Sequence, residues 1–196
     1  MEEFAEVVKK IMETPTTPLD IYKIAKKRCN VFEYPEIAQF EHIDDLFKMG
    51  NSDIEAMCDD DDLPFDKNAA IILYKSSPDF GHWTMLKKIK GGIHFLDSYG
   101  DMIDDELKNS DEDFNKLIGQ DRKYLSKLLL DSDRDVYYNH NPLQKLDSKI
   151  ATCGQYCAMF LKYKDLSVDD FADLIKTLAE KNDLPNDVVI ALLTLV

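Results

Sequence analysis

The sequence predicts an α+β domain, and three stretches predict it. Phe4, Val7, Val8, Ile11 and Met12 recur at helical spacing near the start. In the middle, the apolar run from Ala69 to Tyr74 (AAIILY) precedes two strand-like segments that flank Lys90-Gly91-Gly92, a hairpin signal. Later, the polar stretch from Gln144 to Thr152 turns apolar at Cys153, with Tyr156, Cys157, Met159, Phe160 and Tyr163 at helical spacing. The expected arrangement is a central mixed sheet whose hairpin packs against a buried helix opening at Cys153.

Taken in order, the first stripe ends at Thr14-Pro-Thr-Thr-Pro18, where prolines break it. A second helix is expected from Leu19 to Arg28, with Ile21, Ile24 and Ala25 inward. Ile43 to Met49 reads as a short third helix, ended by Gly50. Asn51 to Lys67 contains Cys58 and a run of aspartates without the glycine-punctuated spacing of a calcium loop, so a solvated loop is expected. The run from Ala69 to Tyr74 suits a strand buried on both faces. Trp83 to Ile89 and Ile93 to Leu96 form the hairpin. Asp101 to Leu107 and Lys116 to Leu130 read as surface helices, and Val136 to Tyr138 as another strand. Ser167-Val-Asp-Asp170 has the spacing of a capping box before Phe171, Leu174, Ile175 and Leu178. Pro185 to Val196 is expected as a last helix. No repeat or linker divides the chain, so 1–196 is expected as a single domain: a helical N-terminal part over 1–67, a core over 69–163 and C-terminal helices over 164–196.

The 196 residues suffice for one sizeable core, and 44% hydrophobic content suits a globular chain. No apolar run is long enough to span a bilayer, and the acidic, amphipathic start is unlike a secretory signal. Four unevenly spaced cysteines (Cys29, Cys58, Cys153, Cys157) do not form a disulfide framework, so a reducing, intracellular setting is expected. A net charge of −14 repels phosphate backbones, which argues against autonomous nucleic-acid binding and favours basic segments of a protein partner.

A cysteine at a helix start meets unpaired backbone N–H groups and the positive end of the helix dipole. Both favour thiolate over thiol, although burial as an ordinary core cysteine is the commoner fate. A thiolate nucleophile works with an imidazole and an acceptor that orients it. His82 precedes the first hairpin strand and Asp97 follows the second, so an antiparallel hairpin brings them together; singly, each also suits a turn. Acyl transfer further needs donors for the oxyanion: the N–H of Cys153 and the side-chain amide of Gln144 are candidates. His140 rivals His82 as the base. His94 lies on a hairpin strand, and His42 lies in an acidic segment. Cys153 and Cys157, one turn apart, lack the second pair that a zinc site needs. No metal or other cofactor is expected; there is no P-loop, dinucleotide fingerprint or HExxH.

The order Gly81-His82-Trp83, Phe95-Leu-Asp97-Ser-Tyr-Gly100, Gln144, Thr152-Cys153-Gly154-Gln-Tyr-Cys157 resembles the adenovirus-type maturation proteases. Their superfamily includes the SUMO-deconjugating cysteine proteases, and the match is nearest to the versions of virophages, large DNA viruses and related mobile elements. The resemblance implies a papain-like cysteine protease fold in permuted order. It implies His82 as base and acid, Asp97 as its orienter, Gln144 in the oxyanion hole and Cys153 as nucleophile, with Trp83 and Gly154 lining the substrate groove. The implied activity is endoproteolysis of capsid or other virion precursors at small residues, in the host cytoplasm, at the assembly site or inside the virion. Alternatives are a deconjugase for a ubiquitin-like modifier and an inactive binding module. Two departures stand out. Gln144 and Cys153 are further apart than in the better-known enzymes, and the acidic chain lacks a basis for activation on DNA.

Overall fold

The structure, a computed structural model, describes residues 2–48 and 63–195. Helix α1 (Glu2–Glu13) stops at the prolines, and α2 (Pro18–Ala25) starts on them. Pro18 fits the first turn because its missing N–H would have no intrahelical partner there. Thr17 caps α2 reciprocally: its hydroxyl accepts from the Asp20 N–H at 3.2 Å, and the Asp20 carboxylate accepts from the Thr17 N–H at 3.0 Å. Lys26 then turns left-handed at φ 56° and ends the helix. The expected second helix is therefore too long at its end. Arg28, expected as the last residue of that helix, instead opens a strand, β1 (Arg28–Glu33). Ile43–Phe47 is a 3₁₀ turn rather than an α-helix. Met49, Gly50 and the acidic run with Cys58 lie outside the described residues.

Among the described residues, β1, β2 (Phe65–Lys75), β3 (Gly81–Ile89), β4 (Gly92–Asp97) and β5 (Val136–Tyr138) form one five-stranded sheet in chain order. The inner pairs β2–β3 and β3–β4 are antiparallel, and the outer pairs β1–β2 and β4–β5 are parallel. Alternation along the strands feeds two cores. Ala69, Ile71, Met85 and Leu96 meet α2, α5 (Cys153–Lys162), α6 (Val168–Asn182) and α7 (Asn186–Leu193). Ala70, Ile72, Leu86 and Phe95 meet the 3₁₀ turns and α4 (Tyr124–Leu130) on the other face. The fold is thus α+β, with a mixed sheet and a hairpin packed against a buried helix, as expected.

Two other expectations are corrected. The stretch from Asp101 to Leu107 holds a short 3₁₀ turn, Asp105–Lys108, entered through Asp104 at φ 66°. The single helix expected from Lys116 to Leu130 is two, α3 (Glu112–Ile118) and α4, because Gly119 turns left-handed at φ 77° and caps α3. Among the described residues no helix is long and apolar enough to cross a membrane.

Helix α5 runs along β3 and is pinned near both ends. Near its start, Trp83 meets Gly154. At its end, the buried Lys87 ammonium donates to the carbonyls of Phe160 and Tyr163, each at 3.0 Å, and sits 3.5 Å from the Phe160 ring centre. A cation against free carbonyls at a helix C-terminus is favourable on dipole grounds.

Candidate active site

The open end of the hairpin sets the geometry. Thr84 pairs with Asp97 across β3 and β4, so His82, two residues from Thr84, projects from the same face as Asp97. His82 Nε2 lies 3.0 Å from Asp97 Oδ1. The same oxygen accepts from the Tyr99 N–H at 2.8 Å, and the Tyr99 ring stacks on the imidazole with centroids 4.6 Å apart. Behind them, Asn139 continues the sheet where β5 has ended. Its side-chain oxygen accepts from the Asp97 N–H at 3.1 Å, and its amide donates to the Asp97 carbonyl at 2.6 Å. Gly100 closes the turn at φ 78°, where a Cβ would lie 2.8 Å from the Asn141 carbonyl carbon.

Cys153 is the first residue of α5, is buried, and lies close enough to His82 to raise the proton affinity of its imidazole. With Nε2 on Asp97, Nδ1 is the imidazole nitrogen left for the thiol. Burial opposes charge on His82 and is the largest single influence. The charge and hydrogen bond of Asp97, followed by those of Cys153, outweigh it and hold the imidazole well above its ordinary pKa. Beside the thiol, a Cβ on Gly154 would lie 2.6 Å from Thr16 Cβ and 3.1 Å from Trp83 Cδ1. The Trp83 indole N–H donates to the Thr16 carbonyl at 2.9 Å. Trp83 and Gly154 therefore clamp the α1–α2 connection against the first turn of α5.

Gln144 is buried on the Ser98–Tyr99 turn. Its oxygen accepts from the Ser98 hydroxyl at 2.7 Å, and its amide donates to the Tyr99 hydroxyl and the Ile150 carbonyl, both at 3.2 Å. The extra length before Cys153 loops outward: Leu146 is 86% exposed, and the Ile150 N–H closes a turn onto the Asp147 carbonyl at 2.9 Å. Asp187 of α7 ties both ends of this loop. Its buried carboxylate accepts from the Thr152 hydroxyl at 2.6 Å and from the Lys145 N–H at 2.9 Å.

His140, the rival base, is exposed and leans on the Tyr138 ring, while its neighbour Asn139 points inward. His94 Nδ1 accepts from the Val168 N–H at the start of α6, and His42 is exposed. Cys157 lies in the core, where burial pushes its thiol well up. Sequence reasoning missed Asn139, Asp187 and Glu106. Glu106 is buried, with Oε1 3.7 Å from His82 Nε2. Donor atoms of His82, Asp97 and Glu106 lie within 4.8 Å of one another, a spacing a metal ion could share. His82 Nε2 and Asp97 Oδ1 are already engaged with each other at 3.0 Å, and the neighbouring Cys153 thiol suits acid–base work better.

No family model matches the sequence. The chain is 27% identical over 177 residues to the uncharacterized protein V9 of Sputnik virophage, covering 90% of this chain and 91% of that protein. Among solved structures it resembles the C-terminal Ulp1 protease domain in complex with Smt3, the yeast ortholog of SUMO. That likeness has a TM-score of 0.36 and 16% identity, over 96% of this chain and 81% of the other.

Proposed function

We propose that this chain is a cysteine endopeptidase of the papain-like, permuted kind, acting on virion precursor proteins. One observation carries the reading: His82 is bonded to Asp97 at 3.0 Å and neighbours the thiol of Cys153, which opens a buried helix. The relative in a virophage and the motif order support the viral setting.

The steps follow from the groups in place. Cys153 gives its proton to His82 Nδ1, and the thiolate sulfur attacks the scissile carbonyl carbon. The oxyanion is received by the Cys153 N–H and by Gln144, whose amide releases the Tyr99 hydroxyl or the Ile150 carbonyl to do so. His82 returns the proton to the leaving amine, and the C–N bond breaks to give a thioester. Water, deprotonated by His82, then attacks the thioester; the carboxyl product leaves and the thiol is regenerated. Throughout, Asp97 holds the imidazole through Nε2. Trp83 and Gly154 are assigned to the substrate groove, with small residues at the cut, on the strength of the motif resemblance.

The test is iodoacetamide labelling with peptide mapping, on wild type and on His82→Ala. Cys153 is expected to react fast near pH 6, roughly 10²-fold faster than Cys29, and to lose that advantage without His82. Equal reactivity of Cys153 and Cys29 would sink the reading. Co-expression with capsid precursor then assigns the substrate: Cys153→Ala is expected to abolish trimming. Capture of a ubiquitin-like modifier carrying a C-terminal electrophile, with no trimming, would make the enzyme a deconjugase instead.

A further inference from the structure

The buried acid beside His82 has no place in the three-residue scheme. Glu106 Oε1 makes no hydrogen bond, and Asp97 Oδ2 nearby is likewise buried and unpartnered. Buried carboxylate oxygens left unpaired are costly unless a nearby charge compensates them. The turn that delivers Glu106 is anchored with care. Asp104 adopts a left-handed backbone, uncommon outside glycine, immediately before it. The Asp104 carboxylate accepts from the hydroxyls of Tyr34 at 2.8 Å and Tyr74 at 3.0 Å, and from the Ser126 N–H at 2.8 Å. Three elements thus hold the turn, which brings the Glu106 carboxylate beside the imidazole.

We propose that Glu106 is a positioning residue of the site: a second carboxylate that, with Asp97, holds the His82 imidazolium from the Nε2 side. Asp97 Oδ1 takes the hydrogen bond at 3.0 Å, and Glu106 adds charge 3.7 Å from the same nitrogen. The groups facing His82 are Asp97 of β4, Glu106 of the 3₁₀ turn, Cys153 of α5 and Tyr99 of the turn between them. Those facing Glu106 are His82, Asp97, Tyr99 and Asp101, with the Asn109 side chain nearby favouring its charged form. Burial raises the Glu106 carboxyl, His82 lowers it and Asp97 raises it again. As pH falls, Glu106, whose carboxyl is raised, takes up a proton and its hold on the imidazolium is lost.

The meaning of this device for turnover rests on the protease reading, but its test does not. In a Cys153→Ala background, the titration of the histidine imidazoles is followed by NMR, with His42, His94 and His140 as internal references. Glu106→Gln keeps the shape and removes the charge. It is expected to move the His82 midpoint to lower pH by about one unit, leaving the other three in place, and Glu106→Asp to move it by less. An unmoved His82 midpoint in the folded variants overturns the proposal; if only Glu106→Asp folds, that variant decides. A moved midpoint with a sluggish Cys153 in the labelling experiment sinks the protease reading and leaves this inference standing. The reverse result does the opposite.

Discussion

His82 carries opposed influences, and their balance has a measurable sign. Its folded pKa is raised well above 6.5, so its partners contribute stability that is fully present below pH 6.5 and is lost as pH rises through the folded value. Wild type is expected to exceed His82→Gln in urea stability most at low pH, with the gap narrowing on the alkaline side. Gly154 makes a different prediction. A methyl there meets Thr16 Cβ at 2.6 Å, so Gly154→Ala is expected to destabilise by about 1–3 kcal/mol. Adding Thr16→Gly recovers part of that loss, read from denaturant midpoints. Among single residues, the sequence exposed those whose relation is local. His82 and Asp97 lie at matching ends of one hairpin, and Cys153 marks the switch from polar to apolar spacing. Glu106 offered no such signal: it is one carboxylate among 38 acidic residues, and only the left-handed Asp104 aims it inward. Asn139 was hidden for a similar reason, since its task is to extend a sheet that ends beside it.

Helix α5 is placed by two grips on β3 and one from α7. Burial pushes the Lys87 ammonium from 10.5 down to about 7. Between those values the unfolded chain holds the extra proton, so stability rises with pH across that window. The melting temperature of wild type relative to Lys87→Met is expected to climb from pH 7 towards pH 10. From the other side, Asp187→Ala leaves the Thr152 hydroxyl and the Lys145 N–H without their acceptor. It is expected to cost about 1–3 kcal/mol and to slow Cys153 labelling, because the loop after Gln144 loosens. Elements with one clean period were legible: β2, the hairpin, α5 and the terminal helices. Strand β1 was not, because it begins with Arg28 and carries Asn30 in its middle. Asn30 is tolerated in the core since its amide donates to the Leu46 carbonyl at 2.9 Å and the Lys48 carbonyl at 2.6 Å, partners that no local pattern announces. The break at Gly119 is marked in the sequence by the glycine itself, which takes the left-handed turn that a continuous helix does not allow.

At the scale of the molecule, and on the protease reading proposed above, the net charge of −14 would act over the approach of a substrate rather than on the bond-breaking step. Cleavage of peptides with basic flanks is expected to slow, through KM, as salt rises from about 0.05 to about 0.5 M, while neutral-flank peptides respond little. The topology also orders events in time. The imidazole and its carboxylate sit on adjacent antiparallel strands and can meet as soon as that hairpin has been synthesised. The thiol comes much later in the chain. It reaches its place only after α5 has settled along β3, with Thr16 on one side and Asp187 of α7 on the other. Contacts so distant in sequence form late, because closing the intervening chain precedes any gain from them. A nascent copy therefore joins His82 to Asp97 early and leaves Cys153 without its place until α7 has docked; on the protease reading, newly made chains would stay harmless to one another until each has finished folding.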